Sequence, residues 1–419
     1  AFSSLYYKHL FNNKSKIAFD VSYYNRHATN STLYNTDSTF MLNTNNIIST
    51  MKPRINSGLF KIDYSTPISE DWLLNTGFKG AYKVSRDQKL EAFRFNETIL
   101  EAYAETNYSF SDCDFNVGLR YEQSSSELND EFNYNTSSFL PFVKFNYKIS
   151  ERKNITFSYR SSLYRPNLYE LNPSIRQDDP FIKRSGNPNL QKELQRDVFL
   201  DYSIRPGYHY LSARLFYQQK SQAIHMMTIM NSKNVFERTT QNMGETDQFG
   251  IQFTGTLRLS KAITVNPYFK VFQHITSPND FVMAHGVKRT KDIEFETGVS
   301  AMAALSKSLI ATMNFQYSTP RNYIQSSTYN DALYMISIEK TIRKSFKIGL
   351  TSGLPLNRDF TYHGRNVEGE KFSNQASGVI NISNFFSWLK LSYNFNSGRK
   401  IKKISREKEK VENLPKKGF

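Results

Sequence analysis

Apolar and polar residues alternate with a period of two along most of this chain. In residues 154–160, Ile155, Phe157 and Tyr159 fall on one face, while Asn154, Thr156, Ser158 and Arg160 fall on the other. That period predicts a strand lying between an apolar and a polar environment. The pattern recurs at 5–10, 17–23, 60–64, 74–78, 100–108, 115–121, 143–149, 198–204, 211–217, 249–253, 263–269, 293–299, 309–317, 334–338, 346–350 and 389–395. These runs make about seventeen strands of roughly the ten-residue length that a tilted strand needs to cross a bilayer. Residues 374–384 alternate weakly and are read as the outward part of the last strand.

The connections sort into two classes. Short ones lie near 12–15, 69–71, 111–114, 150–154, 205–208, 260–262, 306–308 and 343–345. Long ones lie near 26–53, 85–97, 123–137, 162–193, 218–246, 273–291, 318–330 and 354–373. Short and long alternate strictly. A soluble sandwich or propeller has no reason to collect its long loops at one end, whereas an outer-membrane barrel has short periplasmic turns and long external loops. The expected fold is therefore all-β, a transmembrane antiparallel β-barrel over residues 1–396, followed by a basic periplasmic tail at 397–419. An odd strand count and an inward-running first strand predict further strands before Ala1 or from another chain. An open barrel edge in lipid would cost several kcal/mol for each unpaired backbone group.

Composition agrees with this reading. Of 419 residues, 39% are hydrophobic and 22% charged, yet 15% are aromatic, with 33 Phe and 26 Tyr. The aromatic content argues against disorder. No run approaches the roughly eighteen consecutive apolar residues of a transmembrane helix. Cys113 is the only cysteine, which excludes an internal disulfide framework and a multi-cysteine zinc site. The net charge of +16 suits nucleic acid or an anionic lipid and lipopolysaccharide surface. No basic stripe or binding motif accompanies it, so nucleic acid is not an expected partner. Part of the surplus is local: residues 399–419 carry nine Lys or Arg against three Glu.

Residues 162–193 are dense in turn formers, with Arg165-Pro166-Asn167, Asn172-Pro173, Asp178-Asp179-Pro180 and Ser185-Gly186-Asn187-Pro188 in succession. Proline removes a donor and constrains its predecessor, so this stretch cannot sit inside a ladder. Long ordered loops tend to be functional.

The residues Tyr159 to Pro173, followed by Ser185-Gly186-Asn187-Pro188-Asn189-Leu190-Gln191-Lys192-Glu193, resemble the signature of TonB-dependent receptors, most closely the outer-membrane β-barrel domain common in Bacteroidota. That family has an Arg-Pro, an Asn-Pro and a Gly-Asn-Pro-x-Leu-x-x-Glu element, and usually proline where this chain has Lys192. The resemblance implies a 22-stranded barrel with an N-terminal plug energised by TonB, hence five strands, the plug and the TonB-contacting segment lying outside this sequence. It implies active uptake of a scarce solute such as a siderophore, haem or glycan across the outer membrane of a Gram-negative bacterium, and leaves open a surface lipoprotein lid. The alternative is a structural or secretion-associated barrel. The signature residues Arg165, Pro166, Asn172, Pro173, Gly186, Asn187, Pro188 and Glu193 are expected to shape strand re-entry, with ligand contact as the second reading.

Other chemistry is sparse. The seven histidines are scattered without zinc-helix spacing, and there is no phosphate loop or nucleophile elbow. No enzymatic role, cofactor or metal is expected. Asp178 and Asp179 are read as turn-starting and solvating, with cation binding as the alternative. Met226-Met227-Thr228-Ile229-Met230 is read as strand above the membrane packed against neighbouring loops, with an apolar ligand as the alternative.

Overall fold

The computed structural model describes residues 1–34, 47–87, 94–129, 132–173, 176–179, 182–232, 234–342, 345–353, 359–381 and 386–395. Seventeen strands form one antiparallel sheet, in which each strand pairs with the next from Phe2–Leu10 to Phe386–Tyr393. The seventeen alternating runs of the sequence correspond to these strands one for one. Outward positions such as Leu100, Leu119 and Phe253 are exposed. Inward ones such as Glu101 and Glu122 are buried. Tight turns join the strands at one end. Lys14, Ser111 and Gly207 take positive φ angles of 65°, 52° and 60° there, the left-handed conformation that closes a short reversal.

At the other end the strands run well past the membrane. Phe132–Ser150 has 19 residues and Arg94–Phe110 has 17, against the roughly ten that cross lipid. Two of the expected long loops are corrected by this. Most of 85–97 and 123–137 is paired strand, with Ser85 opposite Phe95 and Ser124 opposite Thr136. Outside lipid the outward face need not be apolar, so the hydropathy signal stops before the ladder does. The last strand is corrected too. Phe372–Asn381 is not its extension but pairs with Asp359–Gly369 in a separate sheet. The strand count is unaffected.

Three smaller sheets stand at this end. One joins Arg176–Asp179, Ile182–Ser185, Phe236–Asn242 and Ile224–Met230. A second joins Arg321–Asn322, Ser326–Tyr329, Asp359–Gly369 and Phe372–Asn381. The third is the pair Asn30–Tyr34 and Ile47–Met51. Met227 is fully buried among Ala223, Met243, Val282 and Ile324, so this methionine is core between loops. The tail 397–419 and Pro180 lie outside the described residues.

Candidate functional site

The signature loop begins at Tyr164, where the strand Lys153–Tyr164 ends. Pro166 cannot donate to a ladder, and the chain turns into one helical turn, Leu168–Leu171. Asn167 Oδ1 accepts from the amides of Tyr169 (2.9 Å) and Glu170 (3.2 Å), and Glu170 Oε2 accepts from the Asn167 amide at 2.8 Å. This is a reciprocal capping box. Glu170 also accepts from the Tyr164 hydroxyl at 3.0 Å, which ties the turn back to the strand end.

Asn172 is buried, and its carbonyl accepts from the Gly186 amide at 2.6 Å. The Asn187 amide reaches Glu170 O, also at 2.6 Å. The two halves of the signature thus meet backbone to backbone at Gly186. A Cβ there would stand 2.6 Å from Asn172 N, Asn172 O and Glu170 O. Gly186→Ala should therefore destabilise the loop by about 1–3 kcal/mol. Faster trypsin cleavage between 176 and 184 in the variant is the expected readout, and equal rates would count against the close approach.

The re-entry side is fastened by side chains. Asn187 Nδ2 donates to Gln241 Oε1 at 2.7 Å, and the Gln191 amide donates to Asn242 Oδ1 at 2.8 Å. Glu193 is buried. It accepts from the Ile224 amide at 2.9 Å and pairs with Lys220 at 3.2 Å. Pro188 and Pro166 line a cavity of about 540 Å³ with Leu163, Leu190, Arg165 and Lys192. Pro173 adjoins the buried Asn172.

The loop docks on a charge network that the hydropathy pattern does not disclose. Glu101 and Glu122 stand directly opposite each other on neighbouring strands, which is unfavourable for like charges. Four cations surround them. Lys79 lies 3.5 Å and Arg120 4.0 Å from Glu101. Arg165 bonds Glu122 and lies 3.8 Å from Glu101. Lys192 reaches Glu122 at 3.0 Å and Ser124 Oγ at 2.5 Å. Arg165 and Lys192 come from the two ends of the loop, so the carboxylates on the inner wall clamp both. The residue that departs from the family pattern, Lys192, is one of the two clamps. Glu101 and Glu122 were legible only as charges at inward positions of alternating runs.

Above the wall, His225 packs edge-on to Tyr323 at 5.3 Å. Burial pushes its pKa from near 6.5 down to about 4. Glu193 opposes that shift, while Lys220, His274 and Arg365 add to it. The folded state therefore disfavours the protonated ring. The contribution is complete above pH 6.5, is lost as pH falls towards 4, and is worth about 3 kcal/mol at most. Hydrogen exchange of Ile224–Met230 should accelerate across that window, and His225→Gln should flatten the dependence; an unchanged slope in the variant would exclude His225 as the cause.

Among the described residues, no helix is long and apolar enough to cross a membrane, a statement that does not bear on strands. No group of three or more His, Cys, Asp or Glu suited to a metal occurs among the described residues.

A family model described as "Outer membrane protein beta-barrel family" matches residues 9–393. No curated protein matches the chain. Among solved structures, the siderophore receptor PirA from Pseudomonas aeruginosa is similar at 13% identity and a TM-score of 0.60, covering 84% of this chain and 60% of its own. Copper transporter OprC is similar at 12% identity and a TM-score of 0.67, over 94% of this chain and 67% of its own. The ferric-catecholate import receptor Fiu from K12 E. coli is similar at 9% identity and a TM-score of 0.62, over 93% and 63%. The chain thus spans about 60% of the first of these structures and shares its fold.

Proposed function

Because this chain belongs to the outer membrane protein β-barrel family and is a multi-pass barrel of the Gram-negative outer membrane, we propose that it is the barrel of a TonB-dependent receptor of the Bacteroidota type, which takes up a scarce solute. The observation that carries the reading is the external end. The loops there are folded into sheets and bolted to the inner wall through Glu101, Glu122, Arg165 and Lys192. A pore that merely stayed shut, or a structural wall, has no need for such a built entrance. The fold likeness to proteins titled as siderophore receptor, copper transporter and import receptor adds weight.

In this reading the external sheets receive the solute, and a plug released by TonB lets it pass. The plug and about five strands completing a 22-stranded barrel belong to a longer polypeptide. The signature residues Arg165, Pro166, Asn172, Pro173, Gly186, Asn187, Pro188 and Glu193 hold the loop rather than the ligand. The basic tail 397–419 lies in the periplasm. Lipopolysaccharide surrounds the outer girdle, and a surface lipoprotein is an admissible lid.

Peptide mass mapping of the native polypeptide from an outer-membrane fraction tests this. An N-terminal extension with a plug and further strands is the expected result. A native chain that starts near Ala1 would replace uptake with a structural or partner-completed role.

A further inference from the structure

Two neighbouring strands of the barrel part company where the lipid ends. Phe132–Ser150 and Lys153–Tyr164 pair from Ser150 opposite Lys153 up to Phe142 opposite Arg160. The next residue, Pro141, has no amide to give, and proline stands in a sheet only where a side is unpaired or the ladder is broken. Beyond it each strand keeps its other partner. Residues 132–141 stay paired with Cys113–Leu128, and residues 161–164 with Glu193–Ile204. The height of this split follows from strand length, since about 9–11 residues of a tilted strand cross lipid. Counted from Lys153 they end at Leu163, and counted from Ser150 they end at Leu140. The wall therefore splits where the acyl chains of the outer leaflet meet their headgroups.

The cavity of about 540 Å³ beside Pro166 and Pro188 occupies the split. Its lips are Phe139 on one strand and Leu163 with Leu194 on the other side. All three have the outward parity of Phe145, Phe157 and Leu200. Phe139 is 66% exposed, and its ring lies 5.0 Å from that of Tyr121. Behind the lips stand Phe95, Leu128, Leu171 and Leu190, which are buried in one cluster. Above them the Tyr134 hydroxyl donates to Asn189 Oδ1 at 2.9 Å, so the signature loop is tied across the split. Ser124, Ser126 and Thr136 line the inner end, on the lumen-facing parity. The two cations of the lining, Arg165 and Lys192, are both engaged by Glu122, which leaves apolar surface as the main binding surface of the cavity.

A void forfeits the dispersion contacts that its lining would otherwise make, and the nearest molecules at this depth are acyl chains. Two residues on from Leu194, Arg196 has the same outward parity and donates to the neutral Gln219 Oε1 at 3.0 Å and Ser221 Oγ at 3.4 Å. A guanidinium at headgroup height suits a lipid phosphate. We propose that the split between Phe132–Ser150 and Lys153–Tyr164 is a binding site for one acyl chain of an outer-leaflet lipid A. The chain packs against Leu190 and Pro188, so lipid helps to seat the signature loop. The site goes beyond solute uptake and needs only the outer-membrane location.

The test is native mass spectrometry of the full-length protein in detergent, titrated with lipid A and, separately, with deacylated lipid A that keeps its phosphates. Wild type should retain one lipid A and none of the deacylated form. L163W and S137W, which fill the cavity from its two sides, should each weaken retention by about tenfold or more. L215W, on the outward surface away from the split, should match wild type. Heat-modifiable migration on gels shows which variants are folded, and S137W, at an exposed position, keeps the test decisive if L163W does not assemble. Four results would overturn the site: no retained lipid A, equal retention in wild type and the filled variants, equal retention of the deacylated form, or another molecule that stays bound when lipid A is in excess.

Discussion

Glu122→Ala should destabilise the barrel's external end by about 3–5 kcal/mol, the cost of breaking a buried ion pair from one side. Glu122 is fully buried and holds Arg165 and Lys192 together. Without it those two cations face each other, Lys79 and Arg120 across a single remaining carboxylate, Glu101. The loop 165–192 should then leave the inner wall while the membrane ladder stays paired. Two readouts separate these effects: protease cutting of the loop on intact cells, and an unfolding titration in lipid vesicles. Adding Arg165→Ala should recover part of the loss, because neighbours in one network couple. If Glu122→Ala falls within about 0.5 kcal/mol of wild type, as surface substitutions do, the clamp is not what holds the loop.

Phe157→Arg should cost about 2–4 kcal/mol, the range for a cation on the lipid face near the midplane, whereas Ser158→Arg should be mild. Phe157 is 38% exposed and stands between Phe145 and Leu200 on the strands to either side. Phe145 itself packs against Phe115 at 4.7 Å, so this outward patch is a continuous apolar surface. Ser158 is flanked by Lys144 and Phe199 and turns to the lumen. Equal costs for the two variants in the vesicle titration would reverse the faces of the strand.

Much of the architecture was legible along the chain because lipid and lumen impose opposite demands on successive residues. Ile155, Phe157 and Tyr159 against Asn154, Thr156 and Ser158 mark a strand, its faces and its register parity without any tertiary information. The long, turn-rich connections also marked the end of the sheet that carries the smaller sheets, although 85–97 and 123–137 proved to be mostly paired strand. The turn formers of 162–193 announced an ordered loop, whereas the capping box of Asn167 and Glu170 that starts its helical turn emerged only in the structure.

The reading ended where lipid ends. Above the membrane Ser124 pairs with Thr136 on a strand whose residues carry no apolar period. Phe372–Asn381 pairs away from the barrel although it alternates like the last membrane strand. Only the tertiary structure could set Glu101 opposite Glu122, bring Lys192 from 70 residues away to the same carboxylate, or lay Arg184 beside Arg238. The sequence by itself determined the strands, their two faces and the end that carries the loops, since each depends on which solvent a residue meets. Which charges converge at that end was decided by the tertiary structure, because a charged side chain on a solvated strand carries no mark of its partner until the ladder brings the two together.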